Sequence, residues 1–224
     1  MESERLERIY EEYVGRPLRR RPPSEKVYEE FAYVLDYLPY GYGLGYDRGG
    51  RGPIAQAIGE RYFMLLELRP APGLELKIGD RVPVRGYIES QIIRVVRRLT
   101  YDDLTATAKA ELPAIVRKIV ERREKFFVEF FNTAQPLTTK MHSLELLHGI
   151  GKKTLWRILE ERKRKPFESF EDIRARTKVD PVKVIVERII EELREEQRHY
   201  LFVKPYFRRR ERRGGPRLSP GVSI

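Results

Sequence analysis

The chain has 224 residues, of which 45 are Lys or Arg and 34 are Asp or Glu, giving a formal charge of +11 at pH 7. A basic excess of this size points to a polyanionic partner, either nucleic acid or an acidic membrane surface. The absence of cysteine excludes disulfides, thiolate zinc sites and iron–sulfur clusters, and no run approaches the roughly 18 apolar residues that a membrane-spanning helix needs.

The start, Met1-Glu2-Ser3-Glu4-Arg5, is polar and acidic rather than signal-like, so a cytoplasmic protein is expected. The abundance of Glu, Arg and Lys suits a thermophile. Residues 1–23 read as a helix, with Leu6, Ile9, Tyr10, Tyr13 and Val14 at helical spacing, followed by the basic linker Arg19-Arg20-Arg21-Pro22-Pro23.

Residues 24–100 read as a small β-barrel. Strands are expected in Tyr28–Leu38, Arg61–Leu68, on both sides of a Gly79-Asp80 turn within Leu74–Val84, and in Tyr87–Val96. Short strands joined by Gly/Pro turns fit an OB-like barrel; an unrelated small barrel or an SH3-like module fits nearly as well. Within this region the stretch from Tyr40 to Pro53 is too rich in glycine for a packed element and reads as a loop. Its Tyr42 and Tyr46 are candidates to stack on bases, and Arg48 and Arg51 to pair with phosphates. The alternative is a hairpin whose tyrosines fold back on the barrel.

Residues 101–135 return to helical periodicity as connecting helices. Asp102 or Asp103 is the expected cap, and Leu104, Ala108, Leu112, Ile115, Ile119 and Val120 form the apolar face. Pro113 predicts a kink or a division into two helices. Phe126, Phe127, Phe130 and Phe131 are expected to fill the core between the barrel and the next unit.

Residues 136–200 hold the most informative stretch, Leu147-His148-Gly149-Ile150-Gly151-Lys152-Lys153. It reads as the turn of a helix-hairpin-helix: Ser143 caps a short first helix, Ile150 points inward, and a second helix starts near Lys152. The start of that helix presents unpaired N–H groups and the positive end of the dipole, a ready anion site. Gly149, Gly151, Lys152 and Lys153 are therefore candidate phosphate contacts; a helical turn that only packs is the alternative. A second helix–turn–helix outline follows, with Ser169 and Asp180 as caps and Pro181 at the first helical position. Its turn lacks glycine and reads as mainly structural, with Lys178 kept as a possible phosphate contact. Residues 201–224 are a basic tail in which Arg208, Arg209 and Arg210 follow phosphates without reading sequence.

A barrel-like half, a helical hairpin pair with Leu147–Lys153 and a basic end together resemble an archaeal family of uncharacterised proteins, the domain of unknown function numbered 655, over most of the chain. The resemblance implies an α+β architecture, an OB-like barrel followed by an all-α tandem helix-hairpin-helix domain, and a nucleic-acid-binding role; it supplies no activity. The hairpin half also resembles modules of ligases, recombinases and repair nucleases. Their glycine turn binds phosphate without sequence preference, a role that this likeness carries onto Gly149, Ile150, Gly151, Lys152 and Lys153. His148 stands where proline is frequent in such modules.

The function expected is non-enzymatic nucleic-acid binding, RNA slightly favoured over DNA, with no cofactor and no metal. An adaptor of a ribosomal or nucleic-acid-processing assembly is the second reading. A repair enzyme using Lys153 and Asp180 is the third. Against it stand the long spacing between those two residues, the barrel-like upstream half and the capping role of Asp180. Asp36, Glu67, Asp80, Asp102 and Asp103 are not gathered by spacing for a metal, and His142, His148 and His199 lack ligand spacing.

Overall fold

The computed structural model describes residues 28–42, 52–85 and 92–206. The expected first helix and linker, the loop residues Tyr46, Arg48 and Arg51, and the tail residues Arg208, Arg209 and Arg210 lie outside the described residues.

Strands β1 (Phe31–Leu38), β2 (Ile54–Gly59), β3 (Leu65–Pro70), β4 (Arg81–Pro83) and β5 (Ile93–Arg98) form one antiparallel sheet in the order β4-β1-β2-β3-β5. Alternate residues serve two cores. Ala32, Val34, Ala57, Leu66 and Leu68 face inward with Leu74, Leu76, Val82 and Ile93, and the sheet curls around them as a half-barrel. Tyr33, Leu35, Ile58 and Leu65 face the helices. Irregular register between Val34 and Asp36, and between Glu67 and Leu68, adds local bending.

The strand expectations need correction in four places. β2 was not among the expected strands: it is buried along its whole length, and burial on both faces removes the apolar–polar alternation that marks a half-buried strand. Residues 74–77 are not a strand, because Leu74 and Leu76 act as a lid on the inner core. The third strand starts at Leu65 rather than Arg61, since Phe63 takes a positive φ of 52° within the turn before it. The last described strand runs from Ile93 to Arg98, past the expected end at Val96, and residues 87–91 of that expectation lie outside the described residues. Among the described residues the barrel is open, with β4 and β5 as its two edges.

Helix α1 (Ala106–Arg122) follows a short 3-10 turn, Tyr101–Asp103. Its cap is Thr105, not Asp102 or Asp103. Thr105 Oγ1 accepts the Ala108 N–H at 3.0 Å and donates to Asp36 at 2.7 Å. The Thr105 N–H donates to the buried Gln56 side chain at 2.8 Å, so the sheet fixes where α1 begins. Asp103 instead accepts from the N–H and hydroxyl of Thr100. Pro113 lies inside α1 without ending it; the break comes at Arg123, before α2 (Glu124–Thr133). Arg123 donates to the carbonyls of Glu60 and Arg61 and lies 4.3 Å from the ring of Phe126. Phe126 is therefore a half-exposed cover and not core, while Phe127 and Phe131 are fully buried and Phe130 packs partly buried against them.

A 3-10 turn, Ser143–Leu146, precedes α3 (Lys152–Arg164), α4 (Phe170–Thr177) and α5 (Pro181–Arg194). Helix α1 packs on β1 and on α5. One apolar cluster runs from Tyr33 and Ile58 through Leu112, Ile119 and Phe127 to Ile150, Ile158 and Ile185, so α1 is a shared wall rather than a connector. No described helix is long and apolar enough to cross a membrane.

Two buried carboxylates fasten loops to this body. Glu192 on α5 accepts the N–H groups of Leu201, Phe202 and Val203 and the Arg188 side chain. Glu29 accepts the N–H groups of Arg61, Tyr62 and Met64 at 2.8, 2.9 and 3.1 Å. Burial pushes the Glu29 carboxyl up from its ordinary value, against the opposing pull of those N–H groups and Arg123. A Cβ on Gly59 would stand 2.0 Å from Glu29 Cδ. Gly59→Ala must displace a carboxylate held by three donors and is expected to cost about 2 kcal/mol, read as a lower denaturation midpoint with an unchanged m-value.

Candidate nucleic-acid interface

Neighbouring residues cap the first turn. His142 Nδ1 accepts the Leu144 N–H, and Glu145 reaches back to the His142 N–H at 2.8 Å, a reciprocal cap. The cap is thus His142 and not Ser143, whose hydroxyl donates to the Gln135 carbonyl. The first element is one 3-10 turn rather than an α-helix. Burial, followed by the Arg162 charge, lowers the His142 pKa, which favours the neutral ring that such an acceptor requires. Ile150 N–H closes the turn onto the Leu147 carbonyl at 3.1 Å.

Gly149 takes φ +80°, the left-handed region that a Cβ disfavours. Ile150 is buried, as expected, and anchors the bend in the common core. It cannot touch a partner directly, so its part in the site is to hold the main chain. Gly151 is the N-cap of α3 with φ −84° and ψ 180°, a conformation open to any residue, and its missing Cβ faces open space. Nothing in the chain's own packing requires glycine there.

The helix starts differ in how their amides are treated. Ser169 accepts the Asp172 N–H at α4, and Asp180 accepts the Lys183 N–H at α5, as Thr105 does at α1. Helix α3 has no side-chain cap and no acid in its first turn; Lys152 and Lys153 stand there instead. Cations at a helix N-terminus oppose the macrodipole, and the uncapped amides have no side-chain acceptor. An anion bound at this end would relieve both.

The second turn repeats the first in conformation. Lys178 takes φ +64°, Val179 is buried and Asp180 is the N-cap, in parallel with Gly149, Ile150 and Gly151. Here the Asp180 carboxylate already occupies the helix start. Burial raises its pKa, but the Lys183 N–H and Arg174 outweigh that and hold it below its ordinary value. Asp180 is a cap and ion-pair partner, so this helix start already carries a carboxylate of its own.

The candidate residues divide accordingly. His148, Gly149, Gly151, Lys152 and Lys153 are exposed. Lys152 Nζ is held by Glu145 at 2.7 Å and by the Lys140 carbonyl at 3.0 Å; that bond and the His142 N–H keep the Glu145 carboxyl below its usual range. Lys152 therefore braces the turn from one side. Lys153 makes no hydrogen bond or ion pair among the described residues. A cleft of about 350 Å³ is lined by His148, Gly149, Thr154, Arg157, Lys178 and Lys183, and also by Asp180 and Glu187. Arg157, Lys183 and the half-exposed Trp156 were not among the sequence candidates. Trp156 was detectable, since Leu155 and Ile158 already satisfy the apolar face of α3.

Tyr42 lies apart from this cleft. Its hydroxyl donates to Glu67 at 2.9 Å and accepts from Gln56 at 3.0 Å, which fastens it to the sheet as the folded-back alternative expects. No cluster of side chains among the described residues could hold a metal.

The family model described as Protein of unknown function (DUF655) matches residues 28–204. The chain is 43% identical over 190 residues to a Methanocaldococcus jannaschii relative described as Uncharacterized protein MJ0038, covering 84% of each. The crystal structure of Af1531 from Archaeoglobus fulgidus, of the same family model, is similar with a TM-score of 0.71 and 45% identity, over 79% of this chain and all of that one.

The two glycines of the first turn should separate on substitution. Gly149→Ala is expected to lose about 1 kcal/mol of stability, whereas Gly151→Ala should stay within about 0.5 kcal/mol of the parent, both read by chemical denaturation.

Proposed function

Since the chain belongs to the DUF655 family, whose description assigns no activity, we propose from its own surface that it binds nucleic acid through backbone phosphates at the Gly149–Lys153 turn, without sequence preference. The single observation that carries this reading is the start of α3: it lacks a capping side chain, bears Lys152 and Lys153 and stands exposed, while α1, α4 and α5 are capped by their own side chains. The bare Gly151 lets an oxyanion approach the main chain. Lys153 supplies the free charge, and Lys178 and Lys183 extend the positive rim across the cleft.

Two further observations support the architectural side of the proposal. The repeated left-handed residue, buried β-branched residue and N-cap match a tandem helix-hairpin-helix in which only the first unit is open to ligand. The strand order β4-β1-β2-β3-β5 fits an opened five-stranded OB-like barrel. In this reading the hairpin grips the backbone and the barrel side supplies further contact, with RNA favoured over DNA. The role needs no chemistry from Lys153 or Asp180, because the Asp180 carboxylate is already engaged.

Binding of a labelled oligonucleotide by fluorescence anisotropy should fall linearly on a log–log plot of affinity against salt. Lys153→Ala should weaken it roughly fivefold on every sequence, and Gly151→Val should weaken it at least as much with the fold intact. Unchanged affinity in both variants would instead favour a protein-facing adaptor, and labelled substrate turned over by the parent but not by Lys153→Ala would favour an enzyme.

A further inference from the structure

Trp156 is the only tryptophan of the chain and stands 62% exposed on α3. Residues three and four apart are neighbours on a helix surface, so Trp156 lies beside Lys153 and Lys152 on its N-terminal side and beside Leu159 and Glu160 on the other. Leu155 and Ile158 point into the core and hold this face outward. No ring or cation stacks on the indole among the described residues. Several other surface rings are covered: Phe31, Tyr62, Tyr101 and Phe126 each have a cationic side chain over them.

We infer that Trp156 is a stacking platform for an unpaired base, so that the ligand of the α3 turn is nucleic acid with a single-stranded nucleotide next to the held phosphate. The inference rests on the phosphate-binding reading above. Trp156 lies one helical turn, about 6 Å along the axis, from the uncapped amides. That is comparable to the reach from a phosphate to its own base. A base in a duplex has both faces covered by its neighbours, whereas an unpaired base offers one to the indole. The charges around the ring set a direction. The lysines lie towards the turn, where the backbone would enter, and Glu160 lies away from it. A protein partner would gain equally from the apolar ring but would have no use for the uncapped amides one turn away.

The sole tryptophan makes the test direct. The full chain is titrated with a single-stranded oligonucleotide and with a blunt duplex of the same length, and indole fluorescence is read beside anisotropy. The single strand should quench the emission and the duplex should not. Trp156→Ala should weaken single-strand binding roughly tenfold and leave duplex binding unchanged, and Trp156→Phe should restore most of the loss. Equal quenching by the duplex, or single-strand affinity unaffected by Trp156→Ala while Lys153→Ala still weakens both polymers, would overturn the platform and leave the phosphate reading standing. Failure of the parent chain to bind either polymer would overturn both.

Discussion

The apolar stripe of α1, shared between the sheet and α5, is the constraint on which the rest of this structure depends. Ala108, Leu112, Ile115, Val116, Ile119 and Val120 recur at helical spacing, are all buried and make one continuous stripe. Helix α1 lays that stripe against β1 and α5 together. Thr105 fixes its start to Asp36 and Gln56, and Arg123 fixes its end to the Glu60–Arg61 turn. Strand half and helical half are therefore one packed body. The bends between the later helices inherit their rigidity from that body through Ile150 and Val179, both rooted in the same apolar cluster.

That rigidity gives the α3 start its meaning. On a flexible segment, two lysines at a helix N-terminus would simply fray the first turn. Here Ile150 and the Lys152–Glu145 pair hold the bend, so the electrostatic conflict persists on a fixed scaffold. The second turn shows how the same conformation looks when it is closed: Asp180 supplies in cis the carboxylate that the first turn lacks. The two turns thus form an internal comparison within one chain, one whose helix start has a side-chain cap and one whose helix start has none.

Much of this was legible in the sequence, and the exceptions have physical causes. Gly149 reads as a turn because glycine and positive φ go together. Lys178 adopts the same conformation without that signature, so the repeat showed only in outline. The Asp180–Pro181 start of α5 was legible from capping chemistry. β2 was hidden because Ile54–Gly59 is buried on both faces and carries no alternation. The connecting stretch does divide into two helices, but at Arg123 and not at Pro113, which lies inside α1. Lys152 and Lys153 look alike in sequence, and only the position of Glu145 distinguishes a brace from a free cation. The exposure of Trp156 follows once Leu155 and Ile158 are assigned to the core side of α3.

Which main-chain amides meet the ligand is the decisive question. Backbone amide chemical shifts followed by NMR during titration with a short oligonucleotide address this residue by residue. Gly151, Lys152, Lys153 and Thr154 should move in concert and saturably, while Lys183, whose N–H already donates to Asp180, stays in place. Shifts confined to the strands, or equal at both helix starts, would contradict this reading.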